Sequence, residues 1–241
     1  RDLAELDPEE LARARALLRN LGRRGPTRVS RRVRPSPRRG PRPDLPRTVR
    51  AAMRHGGEPV QRRWRAPGRT PRTLVFVVDV SGSMAAYADA LLAYVEGAVV
   101  ARRRVEAFAL GTRLTHVTHE LRVGGVARVR EAVADWAGGT RIGEGLATLT
   151  RRYGGRVGRG AVVVVLSDGW DRGEPELVAA EMERLHRVAH RVVWLNPLKA
   201  RPGYEPLARG MAAALPFVDD FLAGHSLGAM EELATRLEAA G

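Results

Sequence analysis

Residues Leu74–Val78 form an uninterrupted apolar run that ends at the carboxylate of Asp79. Consecutive β-branched and aromatic residues of this kind indicate a strand buried on both faces, as in the middle of a parallel sheet. A second such run, Ala161–Leu166, is followed closely by Asp168. Strand and helix patterns alternate over roughly 165 residues, which predicts a doubly wound, mostly parallel α/β sheet with helices on both faces. Arg113–Val117 is predicted to be one antiparallel edge strand.

The segment after the first apolar run is rich in side-chain oxygens. Asp79, Ser81 and Ser83 alternate along an extended stretch, so their oxygens can converge at the carboxyl end of the strand. Gly82 allows a tight turn before the helix that begins near Met84. One carboxylate and two hydroxyls form a hard-oxygen set, which suits Mg²⁺ or Mn²⁺.

The sequence Asp-Val-Ser-Gly-Ser-Met at residues 79–84 resembles the metal-ion-dependent adhesion site (MIDAS) of a von Willebrand factor type A (vWA) domain. In that family the motif D-x-S-x-S is completed by a distant threonine and a distant aspartate. Thr140, in a Gly-Gly-Thr turn, and Asp168, after the second apolar run, match these two positions in the family's order. The resemblance implies that Ser81, Ser83 and Thr140 bind the ion directly or nearly so, while Asp79 and Asp168 hold it chiefly through water.

Further blocks are similar to one branch of the vWA domains, the CoxE-like group. They are Gly57–Val60, Asp135–Gly143, Leu166–Gly173, Trp194–Leu198 and Arg201–Tyr204, and they occur in family order within residues 44–241. Members of that group are typically cytoplasmic proteins found beside MoxR-type AAA+ ATPases, and some take part in maturation of molybdenum-containing carbon monoxide dehydrogenase. The resemblance therefore implies a noncatalytic adaptor whose ion accepts an Asp or Glu carboxylate from a client protein.

The formal charge of +14 is unevenly distributed along the chain. Residues 1–73 hold 21 Arg and seven Asp or Glu, whereas residues 74–241 hold 20 basic and 20 acidic residues. We therefore predict an Arg-rich extension over residues 1–72 and a vWA domain over 73–241. Capping and composition signals place a helix at 7–22, a linker at 23–43 and a short helix at 44–56 within the extension.

Composition removes several classes of protein. The chain has no cysteine, which excludes disulfides, thiolate metal sites and a cysteine nucleophile. By length, no apolar stretch is expected to span a membrane, and the first residues show no signal-peptide pattern. A cytoplasmic location is the simplest expectation.

Two other functions fit parts of the sequence. A Mg²⁺-dependent phosphohydrolase of the haloacid dehalogenase type also places an Asp after a buried strand, but it needs an acid/base two residues later, where this chain has Ser81. It also needs a lysine for the phosphoryl group, and Lys199 is the only lysine. An Arg-arm nucleic-acid binder is the other alternative, less favoured because Trp64 is the only aromatic residue among residues 1–73. Trp170, beside Asp168, fits either the core or the rim of a docking surface.

Overall fold

The computed structural model describes residues 3–5, 7–57, 61–157 and 159–240. The sequence block Gly57–Val60 therefore lies largely outside the described residues. The chain forms two compact units, one made of residues 1–26 and 72–241 and the other of residues 27–71.

The strands in chain order are β1 Thr27–Ser36, β2 Arg42–Pro43, β3 Trp64–Pro71, β4 Leu74–Asp79, β5 Val105–Leu110, β6 Leu114–His116, β7 Val162–Leu166, β8 Arg191–Asn196 and β9 Asp220–Ala223. The helices are α1 Pro8–Arg24, α2 Leu45–Met53, α3 Ala85–Ala101, α4 Thr118–Ala132, α5 Ile142–Arg152, α6 Gly154–Val157, α7 Pro175–Val188, α8 Arg209–Ala214 and α9 Leu227–Ala239. Short 3-10 turns occupy Leu3–Glu5, Gly82–Met84, Pro197–Ala200 and Leu215–Phe217.

The larger unit is built on a six-stranded sheet in the order β6-β5-β4-β7-β8-β9. Every neighbouring pair is parallel except β5 and β6, which are antiparallel. The predicted mostly parallel sheet with one antiparallel edge strand is therefore confirmed. The strand order reverses between β4 and β7, where Val78 pairs with Leu166. Ligands of open α/β sheets bind outside the carboxyl ends of the strands at such a point.

The apolar run of β4 is buried on both faces because helices cover each side of the sheet. Leu74, Phe76 and Val78 face a core shared with α3, α4 and α9. Val75 and Val77 face the opposite core, shared with α5, α7 and α8. All of these β4 side chains have no exposed surface, as the period of two in a central strand requires.

The first helix, α1, belongs to the larger unit and packs against α3, although the sequence assigns it to a separate extension. The two helices approach closely at Gly97 of α3, where a Cβ atom would lie 2.2 Å from the carbonyl oxygen of Arg15. Ala14 is fully buried, and the Arg15 guanidinium lies 3.4 Å from the Glu96 carboxylate. The predicted boundary at residue 72 was based on charge alone. The packing of α1 against α3 depends instead on the small residues Ala14 and Gly97 at the helix contact.

We expect Gly97→Ala to lower the free energy of unfolding by about 1–3 kcal/mol, because the added methyl group must push α1 away from α3. Urea unfolding monitored by circular dichroism measures this change. Gly155→Ala in α6 is the matched control, since a Cβ there meets nothing within 4 Å. Equal stability of the two variants would show that the α1–α3 contact is loose.

Residues Gly82–Ala101, which include α3, are long and apolar enough to cross a membrane by length and composition. This finding differs from the expectation that no stretch of the sequence reaches that length. In the structure, 67% of the apolar window is buried inside the larger unit. Its apolar composition is therefore accounted for by packing of α3 against the sheet.

The smaller unit contains a three-stranded antiparallel sheet in the order β1-β3-β2. The predicted linker at 23–43 thus contains strand β1 and the short strand β2. Six of the ten β1 side chains are exposed and four of these are arginines, so hydropathy gave no strand signal. Backbone pairing with β3 holds the strand in place. Within the larger unit, Arg72 N–H donates to the carbonyl of Pro26 at 2.8 Å.

Candidate metal centre

The segment from Asp79 to Gly82 leaves β4 at the point where the strand order reverses. Val80 N–H still donates to the Leu110 carbonyl at 2.9 Å, so the chain follows the sheet for one more residue. Ser81 N–H then donates to Asp79 Oδ1 at 2.9 Å, and Gly82 N–H donates to the Gly138 carbonyl at 3.0 Å. This turn leaves Ser81 Oγ and Ser83 Oγ 3.2 Å apart, with Ser81 almost fully buried and Ser83 exposed.

A loop before α5 brings Thr140 to the same turn. Ala137 N–H donates to the Val80 carbonyl at 2.9 Å, and Ala137 itself has a φ of 59°. A non-glycine residue in this left-handed region carries strain that its surroundings must offset. Thr140 is buried and its hydroxyl donates to Asp79 Oδ1 at 3.2 Å.

The residues after β7 form the third part of the site. Ser167 hydroxyl donates to Asp79 Oδ2 at 2.6 Å and accepts from Gly169 N–H at 3.0 Å. Asp168 Oδ1 accepts from Trp170 N–H at 2.9 Å. Within the described residues Asp168 Oδ2 is buried and has no hydrogen-bond partner. An acceptor oxygen left in this state requires a cation or a water molecule.

The carboxyl group of Asp79 is fully buried, and this burial raises its pKa from 3.8 to about 6. Hydrogen bonds from Ser167 and Ser81 act in the opposite direction, and the negative charge of Asp168 raises the pKa further. A buried carboxylate near a second carboxylate is unfavourable without a compensating positive charge.

Two hollows meet above these residues. The larger, of about 670 Å³, is lined by Ser81, Ser83 and Thr140, and the smaller, of about 470 Å³, is lined by Asp168. Asp168 thus faces the neighbouring hollow, although its charge acts on Asp79. Trp170 lines both hollows and has 66% of its surface exposed, so it belongs to the rim and not to the core.

The sequence profile of the family described as "VWA domain containing CoxE-like protein" matches residues 14–230. The chain belongs to this family. No curated protein matches the CoxE-like chain. Among solved structures, a von Willebrand factor type A protein from Catenulispora acidiphila is 17% identical, with a TM-score of 0.49 over 73% of this chain and 43% of that chain. The CoxE-like chain therefore spans less than half of that protein.

Two further structures are similar to the CoxE-like chain. Proximal thread matrix protein 1 from the mussel byssus is 12% identical, with a TM-score of 0.50 over 70% of this chain and 47% of that chain. The D319A mutant of the PilB minor pilin from Streptococcus sanguinis is 11% identical, with a TM-score of 0.49 over 76% of this chain and 62% of that chain. At these identities the likeness concerns the fold alone.

The side chains of the CoxE-like chain fit a hard divalent cation by three observations. The Thr140 hydroxyl donates a hydrogen bond to Asp79, so its oxygen lone pairs remain available to a cation. Asp168 Oδ2 lacks a partner among the described residues. The donors are hydroxyl and carboxylate oxygens, which Mg²⁺ and Mn²⁺ prefer. No cluster of three or more His, Cys, Asp or Glu with metal-binding geometry occurs in the described part of the chain.

Three residues shape this site through contacts that the sequence did not predict. Ser167 fixes Asp79, Asp171 Oδ1 accepts from Ile142 N–H at 2.8 Å, and Arg172 N–H donates to the Thr140 carbonyl at 2.9 Å. All three lie within four residues of Asp168 in sequence. Their position beside a predicted site residue was the available signal, but their partners lie on other loops and could only be found from the fold.

Proposed function

We propose that this CoxE-like chain is a noncatalytic protein-binding module that depends on a divalent cation, Mg²⁺ or Mn²⁺. It acts in the cytoplasm as an adaptor between a MoxR-type AAA+ ATPase and a client metalloenzyme, such as a molybdenum-containing carbon monoxide dehydrogenase, during maturation of the client. The client or the ATPase supplies an Asp or Glu carboxylate to the ion. Family membership supports an interaction module, and the finer assignments rest on the site.

The observation that carries the proposal is a cluster of side-chain oxygens at the carboxyl ends of β4 and β7, all of them buried except that of Ser83. Its members are Asp79, Ser81, Ser83, Thr140 and Asp168. The cluster contains an unpartnered carboxylate oxygen and a carboxyl group with a raised pKa, and it opens at the exposed Ser83. These features favour a bound cation that faces outward.

The hydroxyls of Ser81, Ser83 and Thr140 are the proposed direct ligands, and Asp79 and Asp168 act from behind them. Because the direct ligands are neutral, the bound cation keeps most of its charge and supplies Lewis acidity for a partner's carboxylate. Asp79 orients Thr140 by accepting a hydrogen bond from its hydroxyl, and Ser167 orients Asp79 by donating one to Oδ2.

The phosphohydrolase alternative has little support from the site. The position for its acid/base is Ser81, which does not transfer protons near neutral pH. The Lys199 ammonium group binds the backbone carbonyl of Phe221 and lies over the Phe221 ring, 4.4 Å from its centroid. Lys199 therefore contacts β9 and does not line the hollow above Asp79.

Loss of free aqueous Mn²⁺, followed by electron paramagnetic resonance, tests the metal site directly. We expect Thr140→Ala to weaken Mn²⁺ binding by about 10- to 100-fold or more, because a ligand matters at least as much as an outer-shell partner. Thr140→Ser keeps the hydroxyl and should retain binding. Thr148→Ala is the control, since Thr148 lies on α5 and bonds the Glu144 carbonyl. Equal binding by all four proteins would exclude this site.

Arg172 gives a second test, on the partner's carboxylate. Its guanidinium group lies beside Gly139, lines the larger hollow, and forms no side-chain ion pair or hydrogen bond within the described residues. We expect Arg172→Ala to weaken binding of the MoxR-type ATPase from the same genome by about 10-fold or more, because hydrogen bonds between charged groups are strong. Interferometry measures the affinity, and Arg159→Ala, an exposed residue outside the hollow, is the control.

A further inference from the structure

The smaller unit contains a cavity of about 520 Å³ that is lined by several positively charged side chains. Four arginines line it, together with one aromatic residue: Arg47, Arg50, Arg54, Arg63 and Trp64. A volume of this size is typical of small-molecule sites.

The arginines converge because of their spacing and because α2 is fixed. Arg47 and Arg50 in α2 and Arg54 at its C-cap follow an i, i+3, i+7 pattern, and Arg54 keeps helical backbone angles, so the three lie on one side over about 10 Å. Asp44 N–H donates to the Arg63 carbonyl at 2.8 Å, which ties the start of α2 to the segment that carries Arg63. Arg63 N–H donates to Thr48 Oγ1 at 2.9 Å and repeats this connection one turn later.

Within the part of the chain that the structure describes, no acidic side chain pairs with the arginines of this cluster. The segment Thr27–Pro71 holds 14 Arg against two acidic residues, Asp44 and Glu58, a net charge of +12. Asp44 is buried, caps α2 by accepting from Arg47 N–H at 3.4 Å, and lies 3.8 Å from Arg65. Within the described residues, the four lining guanidinium groups form no hydrogen bond or ion pair. Like charges gathered in one concave site repel each other unless an anion enters.

We propose that this cavity binds the phosphate groups of a nucleotide, either free or within a single strand of nucleic acid. One guanidinium group can bind two phosphate oxygens at once, and a cluster of several such groups suits a ligand with adjacent phosphates. The half-buried ring of Trp64 offers flat surface for a base on the face away from the Arg39 guanidinium, which lies 5.5 Å from the ring centroid. Pro35 and Pro37 add apolar surface beside it. The carboxylates of an acidic peptide would also neutralise the arginines, but they would not stack on the Trp64 ring.

Fluorescence anisotropy with the chain of residues 1–241 tests the site, using labelled 15-mer oligothymidylate and a labelled ATP analogue in EDTA. We expect Arg50→Ala/Arg54→Ala to weaken binding of the responding probe at least about tenfold. If the strand responds, the slope of log K against log salt should fall by about 1.4, or about 0.7 for each lost phosphate contact. Trp64→Ala should weaken binding by about 5- to 150-fold through lost stacking.

Arg28→Ala/Arg31→Ala is the matched control, because it removes the same charge from exposed positions of β1 outside the cavity. It should change affinity by less than about threefold. Binding of ATP alone assigns a free nucleotide, and much tighter binding of the strand assigns nucleic acid. Equal losses in the two double variants would overturn the proposal, as would labelled polyglutamate binding as tightly as both phosphate probes. Asp79→Ala should leave this binding unchanged, which separates it from the metal centre.

Discussion

Asp79→Ala combined with Ser81→Ala should abolish Mg²⁺-dependent capture of the MoxR-type ATPase, a loss of at least about 100-fold in affinity. The double change removes one proposed direct ligand and the acceptor that orients Thr140. It also removes the bonds that Ser167 and the Ser81 backbone make to Asp79. The circular dichroism spectrum should stay near native, because the sheet and both cores do not depend on these polar groups.

The same variant should lose the stabilisation that Mg²⁺ gives to the wild-type chain. A ligand at a hundredfold excess over its Kd raises the free energy of unfolding by about 2.7 kcal/mol, which a thermal melt detects as a higher Tm. Asp89→Ala with Thr148→Ala removes one acid and one hydroxyl outside the hollow and is the matched control. Capture and Tm shift that survive in the Asp79/Ser81 variant would remove the ion from the mechanism.

Asp79→Asn should stabilise the metal-free chain by up to about 3 kcal/mol above pH 6, because burial raises the pKa of this carboxyl from 3.8 to about 6. The folded state then holds its proton more tightly than the unfolded state does. The contribution of Asp79 to stability is therefore greatest below about pH 4, falls as pH rises from 4 to 6, and stays at the lower level above pH 6. An amide at this position keeps the shape and removes the charge, but its NH2 group cannot accept the hydrogen bond that Ser167 donates to Oδ2, which offsets part of the gain at every pH.

Urea unfolding in EDTA at pH 4 and pH 7.5 measures this effect as a difference of differences. Other carboxyl groups titrate over the same range in both proteins, so only the pH dependence of the stability difference between the wild-type chain and Asp79→Asn reports on Asp79. Adding Mg²⁺ at pH 7.5 should raise the free energy of unfolding of the wild-type chain and leave that of Asp79→Asn little changed. A difference that is the same at both pH values would show that Asp79 titrates normally.

The sheet was predictable because burial of a central strand is written directly into its sequence. The runs at Leu74–Val78 and Ala161–Leu166 had no polar residue to place on a solvent face, so only a strand covered on both sides suited them. The two runs form neighbouring parallel strands, β4 and β7. Asp79 and the segment after Leu166 therefore lie side by side at the carboxyl ends of these strands.

The remaining features depend on tertiary contacts that periodicity does not report. Strand β1 is held by backbone pairing to β3 with arginine side chains in solvent, so its composition resembled a linker. Helix α1 docks where Gly97 admits the backbone near Arg15, a contact between distant parts of the chain. Ser167 orients Asp79 through a hydroxyl that any turn could carry.

The bond between Arg72 N–H and the Pro26 carbonyl places the two ends of the smaller unit side by side. Residues 27–71 are thus a detour that leaves and rejoins the larger unit at one point. The Arg102 guanidinium reinforces this junction by donating to the carbonyls of Pro26 and Arg72 at 2.9 and 2.6 Å. The entropy of closing a loop depends only weakly on its length. A loop of a few residues in place of residues 27–71 would therefore still let α1 pack against α3. Replacing residues 27–71 by a short loop should therefore leave the six-stranded sheet of the larger unit and its rim intact.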